Sequence, residues 1–336
     1  MGFTSNYISN LFSIAKGRQP ARPLLFSYYI THRCELGCKY CCDGNGRRFM
    51  EDKTPELSTE EAKRLIGIIS ADADTIDITG GEPMMRNDLE EILSFAQNCG
   101  MRTVLNTKGI GISERPGIVR NSDVIVISLD TLDVKRLSGI IGRPPDIAIK
   151  IIESLNFLLD KKKDGDGPKL VISAVAMPDN LSEISKILDF SMEHGISFHL
   201  SPEIVGTNAN PGLRGNKEYE ALIDLVIQRK NNMNGVLGVK HYLTGIRDFQ
   251  QFPCHPLLMP VIRPDGRMYY PCLESCHAEI SILETGSYRK ALEAAVRKYG
   301  ELPDCKDCCH IFCHMALSLF QRHPLEALAE SRHWRA

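Results

Sequence analysis

Hydrophobic positions in the first nineteen residues recur at helical spacing. Ile8, Leu11, Phe12 and Ala15 fall at i, i+3, i+4 and i+7, which predicts a short amphipathic helix. The basic stretch Lys16-Gly17-Arg18 follows it. Such a helix either docks on the main domain or makes a weak contact with a membrane surface or partner. From residue 24 the pattern becomes an alternation of short apolar runs and longer periodic ones. Residues 24–31, β-branched and aromatic, predict a strand. Ser58-Thr59-Glu60-Glu61 is a capping box in which Ser58 caps and Glu61 reaches back, opening a helix to about residue 72. A short strand at 75–78 and a helix at 87–98 come next. Further strands are predicted near 102–107, 124–130, 169–176 and 196–201, with helices near 146–163 and 181–194.

Six strands alternating with helices indicate an α/β chain with a parallel sheet and right-handed crossovers. The units are too few for an eight-fold barrel before the pattern changes near residue 210. Residues 161–167 read as a polar surface loop. Residues 206–216, rich in Gly, Asn and Pro, read as a linker. Beyond about 250 the chain is cysteine-rich with scattered Pro and Gly, which predicts a separate small domain. The expected division is an N-terminal helix in 1–23, a core in 24–210, a linker and helix in 211–249, and a cysteine-rich extension in 250–336.

Composition narrows the functional classes. The 336 residues are 43% apolar and 24% charged, with a formal net charge of −2, an ordinary globular balance without the basic excess of a duplex-binding protein. No apolar run reaches the roughly 18 residues that span a bilayer, and residues 1–19 lack the continuous stretch of a secretory signal. Twelve cysteines are the departure from the ordinary. Their tight spacing favours a metal or cluster over disulfides, in a reducing, cytoplasmic setting.

The first group follows the first predicted strand. Cys34, Cys38 and Cys41 form CxxxCxxC. Three such thiolates hold three irons of a 4Fe–4S cluster and leave the fourth iron open to a small molecule. A structural zinc site would instead recruit a fourth ligand, for which Cys42 and His32 are at hand. This run, with Tyr40 just before its last cysteine, resembles the radical SAM superfamily. A second element agrees: Asp77-Ile78-Thr79-Gly80-Gly81-Glu82-Pro83 follows the second strand, where that family carries a GGEP-like turn for the methionyl amino group. Paired glycines let backbone approach a ligand closely, and Glu82 offers a negative group to an ammonium.

The resemblance covers roughly residues 24–205 and implies a partial (βα)6 radical SAM barrel with cofactors at the C-terminal mouth of its strands. It further implies a 4Fe–4S cluster that cleaves S-adenosylmethionine (SAM) with one electron. The products are methionine and a 5′-deoxyadenosyl radical that abstracts hydrogen from carbon. A flavodoxin- or ferredoxin-type donor would supply the electron. Asn106 and Lys108 close the third strand, and Ser128 and Asp130 share a face at the end of the fourth. By resemblance, Asn106, Ser128 and Asp130 are candidates for cofactor or substrate contacts, or else cap loops locally. Arg143 either meets the SAM carboxylate as a fork-shaped donor or stands on the surface. His199, Ser201 and Glu203 share a face at the sixth strand, towards substrate if that face is inward. Otherwise His199 is a satisfied core histidine.

Seven cysteines lie in the last third: Cys254, Cys272, Cys276, Cys305, Cys308, Cys309 and Cys313. Residues 264–272 read as a hairpin turned at Asp265-Gly266 that delivers Cys272. With Cys254 before it and CxxCCxxxC after it, this segment resembles the SPASM and twitch extensions of radical SAM enzymes. The spacing departs from theirs: five residues separate Gly266 from Cys272, and no cysteine follows Cys313. The resemblance implies at least one auxiliary 4Fe–4S cluster drawn from Cys254, Cys272, Cys305, Cys308 and Cys313. A zinc site is the alternative.

The expected function is therefore radical chemistry on a peptide, in modification or maturation. The same chemistry on a small-molecule or lipid intermediate is the alternative. Only about 23 residues precede the first strand, so the leader-recognition domain of many peptide maturases is not expected. Outside the enzyme class stand an iron–sulfur electron carrier, which an open three-cysteine motif argues against, and a zinc-binding module.

Overall fold

The structure, a computed structural model, describes residues 2–42, 46–165, 167–232, 235–274, 277–302 and 311–334, without the side chains of 332–334. After helix α1 (Phe3–Ala15), a repeating βα pattern builds the barrel. Its strands are β1 (Phe26–Thr31), β2 (Thr75–Gly80), β3 (Arg102–Thr107), β4 (Val124–Ser128), β5 (Lys169–Ala176) and β6 (Ser197–Pro202). Between them lie α2 (Thr59–Ile69), α3 (Leu89–Asn98), α4 (Pro116–Arg120), α5 (Val134–Ile141), α6 (Pro145–Lys163) and α7 (Leu181–Glu193). The six strands are parallel and neighbour one another in chain order. This is the parallel α/β sheet that the strand–helix alternation predicts, and the partial barrel that the resemblance implies.

Strand periodicity separates two faces. Tyr28, Ile78, Leu105, Ile127, Ile172 and Leu200 are buried and pack in one cluster with Leu65, Ile92, Ile118, Leu155 and Ile184 of the helices. The opposite face is polar and half-exposed, with Asp77, Asn106, Ser128, Ser173 and His199. Ser128, Ser173 and His199 are aligned across β4, β5 and β6, and Ser173 Oγ lies 3.1 Å from His199 Nδ1. The inner face is thus a polar lumen rather than a filled core.

Four segments differ from the sequence expectation. Residues 206–216 are no free linker: β7 (Ile204–Val205) and β8 (Asn208–Ala209) pair, and Asn210 accepts from the Gly212 N–H at 2.8 Å. Beyond them α8 (Lys217–Asn232) buries Tyr219, Leu222, Ile223 and Val226 and serves as the sixth helix of the barrel. Helix α9 (Lys240–Asp248) packs on it, with Tyr219 donating to the Ile246 carbonyl at 2.8 Å. The stretch after residue 250 continues the barrel's own sheet rather than standing apart. Strand β9 (Val261–Ile262) pairs parallel with β1, β10 (Arg267–Tyr270) pairs antiparallel with β9, and β11 (His277–Ser281) pairs antiparallel with β10. An open barrel leaves the β1 edge unpaired, and this hairpin covers it. The chain then forms α10 (Ile282–Thr285), α11 (Tyr288–Tyr299), α12 (Phe312–Arg322) and α13 (Pro324–Trp334).

The fourth difference concerns α1. The helix docks as expected, but through its polar side. Asn6 donates to the carbonyls of Pro23 at 2.8 Å and Asp72 at 2.7 Å, and Asn10 to that of Arg22 at 2.8 Å. Both asparagines are buried, whereas Ile8 is 47% and Phe12 64% exposed. Carbonyls left over by the 22–23 and 72 turns need donors, and the amides meet that need. No helix among the described residues is long and apolar enough to cross a membrane.

Candidate active site

The loop after β1 carries Cys34, Cys38 and Cys41 and is held from three sides. From below, the turn at the end of β2 is bonded to it: the Gly81 N–H donates to the Thr31 carbonyl at 2.7 Å and the Glu82 N–H to the Arg33 carbonyl at 2.9 Å. A Cβ on Gly80 would stand 2.2 Å from the Thr31 carbonyl oxygen, and one on Gly81 2.2 Å from that of Arg33. The paired glycines therefore admit the cysteine loop's own backbone, a role the sequence reading assigned to a ligand.

From the side, the C-terminal end of α5 grips the loop. Gly37 N–H donates to Ile141 O at 2.8 Å and Lys39 N–H to Ile140 O at 3.1 Å. Arg143 Nε donates to the Glu35 carbonyl. From the third side Arg48 donates to the carbonyls of Gly37 at 2.9 Å and Cys38 at 3.2 Å. Helix α5 escaped the sequence reading although its signals are present. Asp133 caps it by accepting the Arg136 N–H at 2.8 Å, Leu137, Ile140 and Ile141 are its buried stripe, and Gly142 ends it at φ 60°.

Cys38 is buried, and Cys34 and Cys41 are half-buried. Burial pushes the Cys34 thiol up to about 11 and the Cys41 thiol up to about 12, the latter raised further by Cys38 and Cys34. Cys38 is shifted the same way by burial, against the pull of Lys108. Three thiols that oppose one another's ionisation are a donor set waiting for positive charge. Among the described residues, no three Cys, His, Asp or Glu side chains converge tightly enough to hold a single ion. Three thiols carried on one loop fit a cluster that takes one thiolate per iron. His32 is buried, 3.4 Å from Asp52 and packed by Tyr29 and Phe49.

Glu82 is buried, and its carboxylate accepts from Met84 N–H at 3.0 Å, Thr107 Oγ1 at 2.5 Å and Lys108 N–H at 2.9 Å. Three of its roughly four acceptor sites are spent within the fold, tying the β2 turn to the end of β3. Pro83 opens the short turn that follows. Asn106 donates to Asp77, which also accepts from Ser27 at 3.1 Å, and burial raises the Asp77 carboxyl to about 6. Ser128 stands half-exposed on the inner face at the end of β4, and Asp130 follows two residues beyond it. Asp130 is fully buried and accepts from Tyr40 Oη at 2.7 Å and the Val175 N–H at 2.9 Å. Arg143 is exposed and engaged with the cysteine loop. His199, stacked on Tyr242, is lowered to about 4 by burial and is neutral at pH 7.

Of the C-terminal cysteines, Cys254, Cys272 and Cys313 are described, whereas Cys276, Cys305, Cys308 and Cys309 lie outside the described residues. Cys313 is solvent-accessible and interacts electrostatically with Asp77, Glu274 and Tyr29.

Residues 28–191 match the model of the Radical SAM superfamily and form a domain of that type. An AdoMet-dependent heme synthase of Nitratidesulfovibrio vulgaris is 29% identical over 185 residues, 52% of this chain and 47% of that protein. The chain therefore spans about half the length of this relative. Among solved structures, Streptococcus suis SuiB bound to precursor peptide SuiA has a TM-score of 0.61 at 21% identity, covering 91% of this chain and 76% of SuiB. The anSMEcpe structure with bound AdoMet and Cp18Cys peptide has a TM-score of 0.59 at 13% identity, over 92% and 98%. Such likeness establishes a shared fold. The match assigns residues 28–191 to a radical SAM domain and leaves the reaction and the substrate open.

Proposed function

We propose that this chain is a radical SAM enzyme that modifies a peptide. In this reading Cys34, Cys38 and Cys41 each hold one iron of a 4Fe–4S cluster, and SAM lies at the mouth of the strands beside the GGEP turn. The observation that carries it is the pinned cysteine loop, bonded through Gly81 and Glu82 to the end of β2. When bound, the cluster and SAM supply a 5′-deoxyadenosyl radical that takes hydrogen from a substrate carbon. The chain's residues do the rest. Glu82 locks the turn, Tyr40 is oriented by Asp130, and Ser128 stands half-exposed on the lumen face, where it can reach a ribose or a substrate.

The peptide reading is supported by fold likeness that runs past the domain to 91% of the chain, among proteins solved with peptides bound. The open, polar lumen also suits a segment of main chain. Cys254, Cys272 and Cys313, with Cys305 and Cys308, are the proposed source of at least one auxiliary cluster, and a flavodoxin- or ferredoxin-type protein is the proposed donor. The heme synthase relative keeps a small-molecule substrate as the second reading.

The test uses reconstituted protein with SAM and dithionite under anaerobic conditions. One arm receives a tryptic digest of perdeuterated cell protein, the other the perdeuterated small-molecule fraction of the same cells. Deuterium in 5′-deoxyadenosine from the peptide arm alone is the expected result. Deuterium from the small-molecule arm alone contradicts the peptide assignment.

A further inference from the structure

Ser173 and His199 stand side by side on the inner face of the barrel, in one register row with Ser128. The row lies where β4 ends, at the mouth of the strands. On the same face, two residues nearer the base, are Val126 and Val171, which pack with Val104, Val124 and Leu237 in an apolar floor. Such a floor lowers the local dielectric and strengthens a hydrogen bond made just above it.

The imidazole is held on two sides. Ser173 Oγ lies 3.1 Å from Nδ1, and the ring stacks on Tyr242 with 6.0 Å between centroids. Tyr242 is itself fixed, buried and donating to the Leu200 carbonyl at 2.9 Å. Neither contact takes the far nitrogen: Nε2 has no hydrogen-bond partner among the described residues, and Ser173 and His199 are both half-exposed. A fixed ring nitrogen beside a hydroxyl is a preorganised place for a polar group of a ligand.

The pair has a definite hydrogen-bonding count. If the Ser173 hydroxyl donates to Nδ1, Nε2–H is left as a donor and the hydroxyl oxygen as an acceptor. If Nδ1–H donates to the oxygen, the roles exchange: Nε2 accepts and the hydroxyl donates. Either tautomer presents one donor and one acceptor. A peptide unit presents the complement, one carbonyl and one N–H. A carboxylate or phosphate, with acceptors only, leaves the pair's own acceptor facing another acceptor.

We infer that Ser173 and His199 clamp one peptide unit of the substrate, giving one hydrogen bond to it and taking one from it. This deepens the peptide reading proposed above and rests on it. Both are binding residues, and no covalent bond to either forms or breaks.

The experiment follows the deuterated share of 5′-deoxyadenosine formed by reconstituted protein with SAM, dithionite and a tryptic digest of perdeuterated cell protein. The share is internal to each sample, so it does not depend on how much cluster a variant loads. Ser173→Ala and His199→Phe should each need about tenfold more digest for the half-maximal share, the size of one lost hydrogen bond. His199→Gln, whose amide keeps a donor and an acceptor near the place of Nε2, should stay within about threefold of the wild type. Ultrafiltration of the unreduced protein with the same digest reads binding apart from turnover, and retained peptide should fall in Ser173→Ala and His199→Phe alike. Should His199→Phe fail to fold, Ser173→Ala carries the test. Wild-type dependence on digest in Ser173→Ala, an equal loss in His199→Gln, or a share that added digest does not restore overturns the inference and leaves the peptide reading intact. No deuterium from the digest in the wild type overturns both.

Discussion

The backbone of Gly81 passes so close to the carbonyl oxygen of Arg33 that a Cβ would lie 2.2 Å from it. Forty-eight residues of sequence separate the two, yet this contact and the neighbouring Glu82 N–H bond at 2.9 Å set where the cysteine loop stands.

Gly81→Ala should therefore displace the loop rather than merely strain the turn, since the atom it strikes is backbone. The expected result is loss of most iron after reconstitution, with a helical circular dichroism spectrum close to wild type. Gly67→Ala, in α2 with open space around its Cβ, is the matched control. It should load iron fully and gain about 0.5–1 kcal/mol from helix propensity.

Glu82 is expected to act mainly through the fold. Glu82→Ala leaves the Thr107 hydroxyl and the N–H groups of Met84 and Lys108 without their acceptor, at a cost of about 3 kcal/mol. Glu82→Gln keeps one acceptor but turns an amide donor towards another donor, so about half that loss is expected. Urea unfolding of the apoprotein measures both.

Arg48 was not singled out from sequence, yet it ties two carbonyls of the loop. Arg48→Ala should cost about 1 kcal/mol of global stability but lower iron per chain several-fold, because the loop loses a brace and the barrel does not. Iron analysis beside thermal unfolding separates the two effects.

Asp88 supplies the pH dependence. Hydrogen bonds from the Arg86 guanidinium hold its carboxyl down to about 2, from an ordinary 3.8. A depressed carboxyl contributes stability above its unfolded value and loses it as pH falls from about 4 to about 2. With its partial exposure, about 1 kcal/mol is expected. The stability gap between wild type and Asp88→Asn should be near that size at pH 6 and close to zero at pH 2.

The parallel sheet was legible because its strands are period-2 with an unbroken apolar outer face, as in Ile76, Ile78, Ile125 and Ile127, whereas its partial-barrel form came from the resemblance. The GGEP turn was legible as a motif, but its contact was not: local sequence says that glycine permits a close approach, not what approaches. Helix α5 was passed over because it is eight residues long and sits directly before another helix. Ile8 and Phe12 suggested the docking face of α1, and buried Asn6 and Asn10 supplied it, because the deciding partners are carbonyls from distant turns. The strand at 261–262 is too short to read alone, and only the open β1 edge gives it a place. Lys108 and Asp130 look like separate strand-end residues until the fold brings Tyr40 between them.

The central claim is that the loop of Cys34, Cys38 and Cys41 performs radical SAM chemistry. Its most direct test is anaerobic reconstitution with iron and sulfide, followed by SAM and dithionite, with 5′-deoxyadenosine and methionine measured against iron content. The account predicts that both products form and that both vanish in Cys38→Ala. Stoichiometric zinc without iron uptake, or cleavage undiminished in Cys38→Ala, would contradict it.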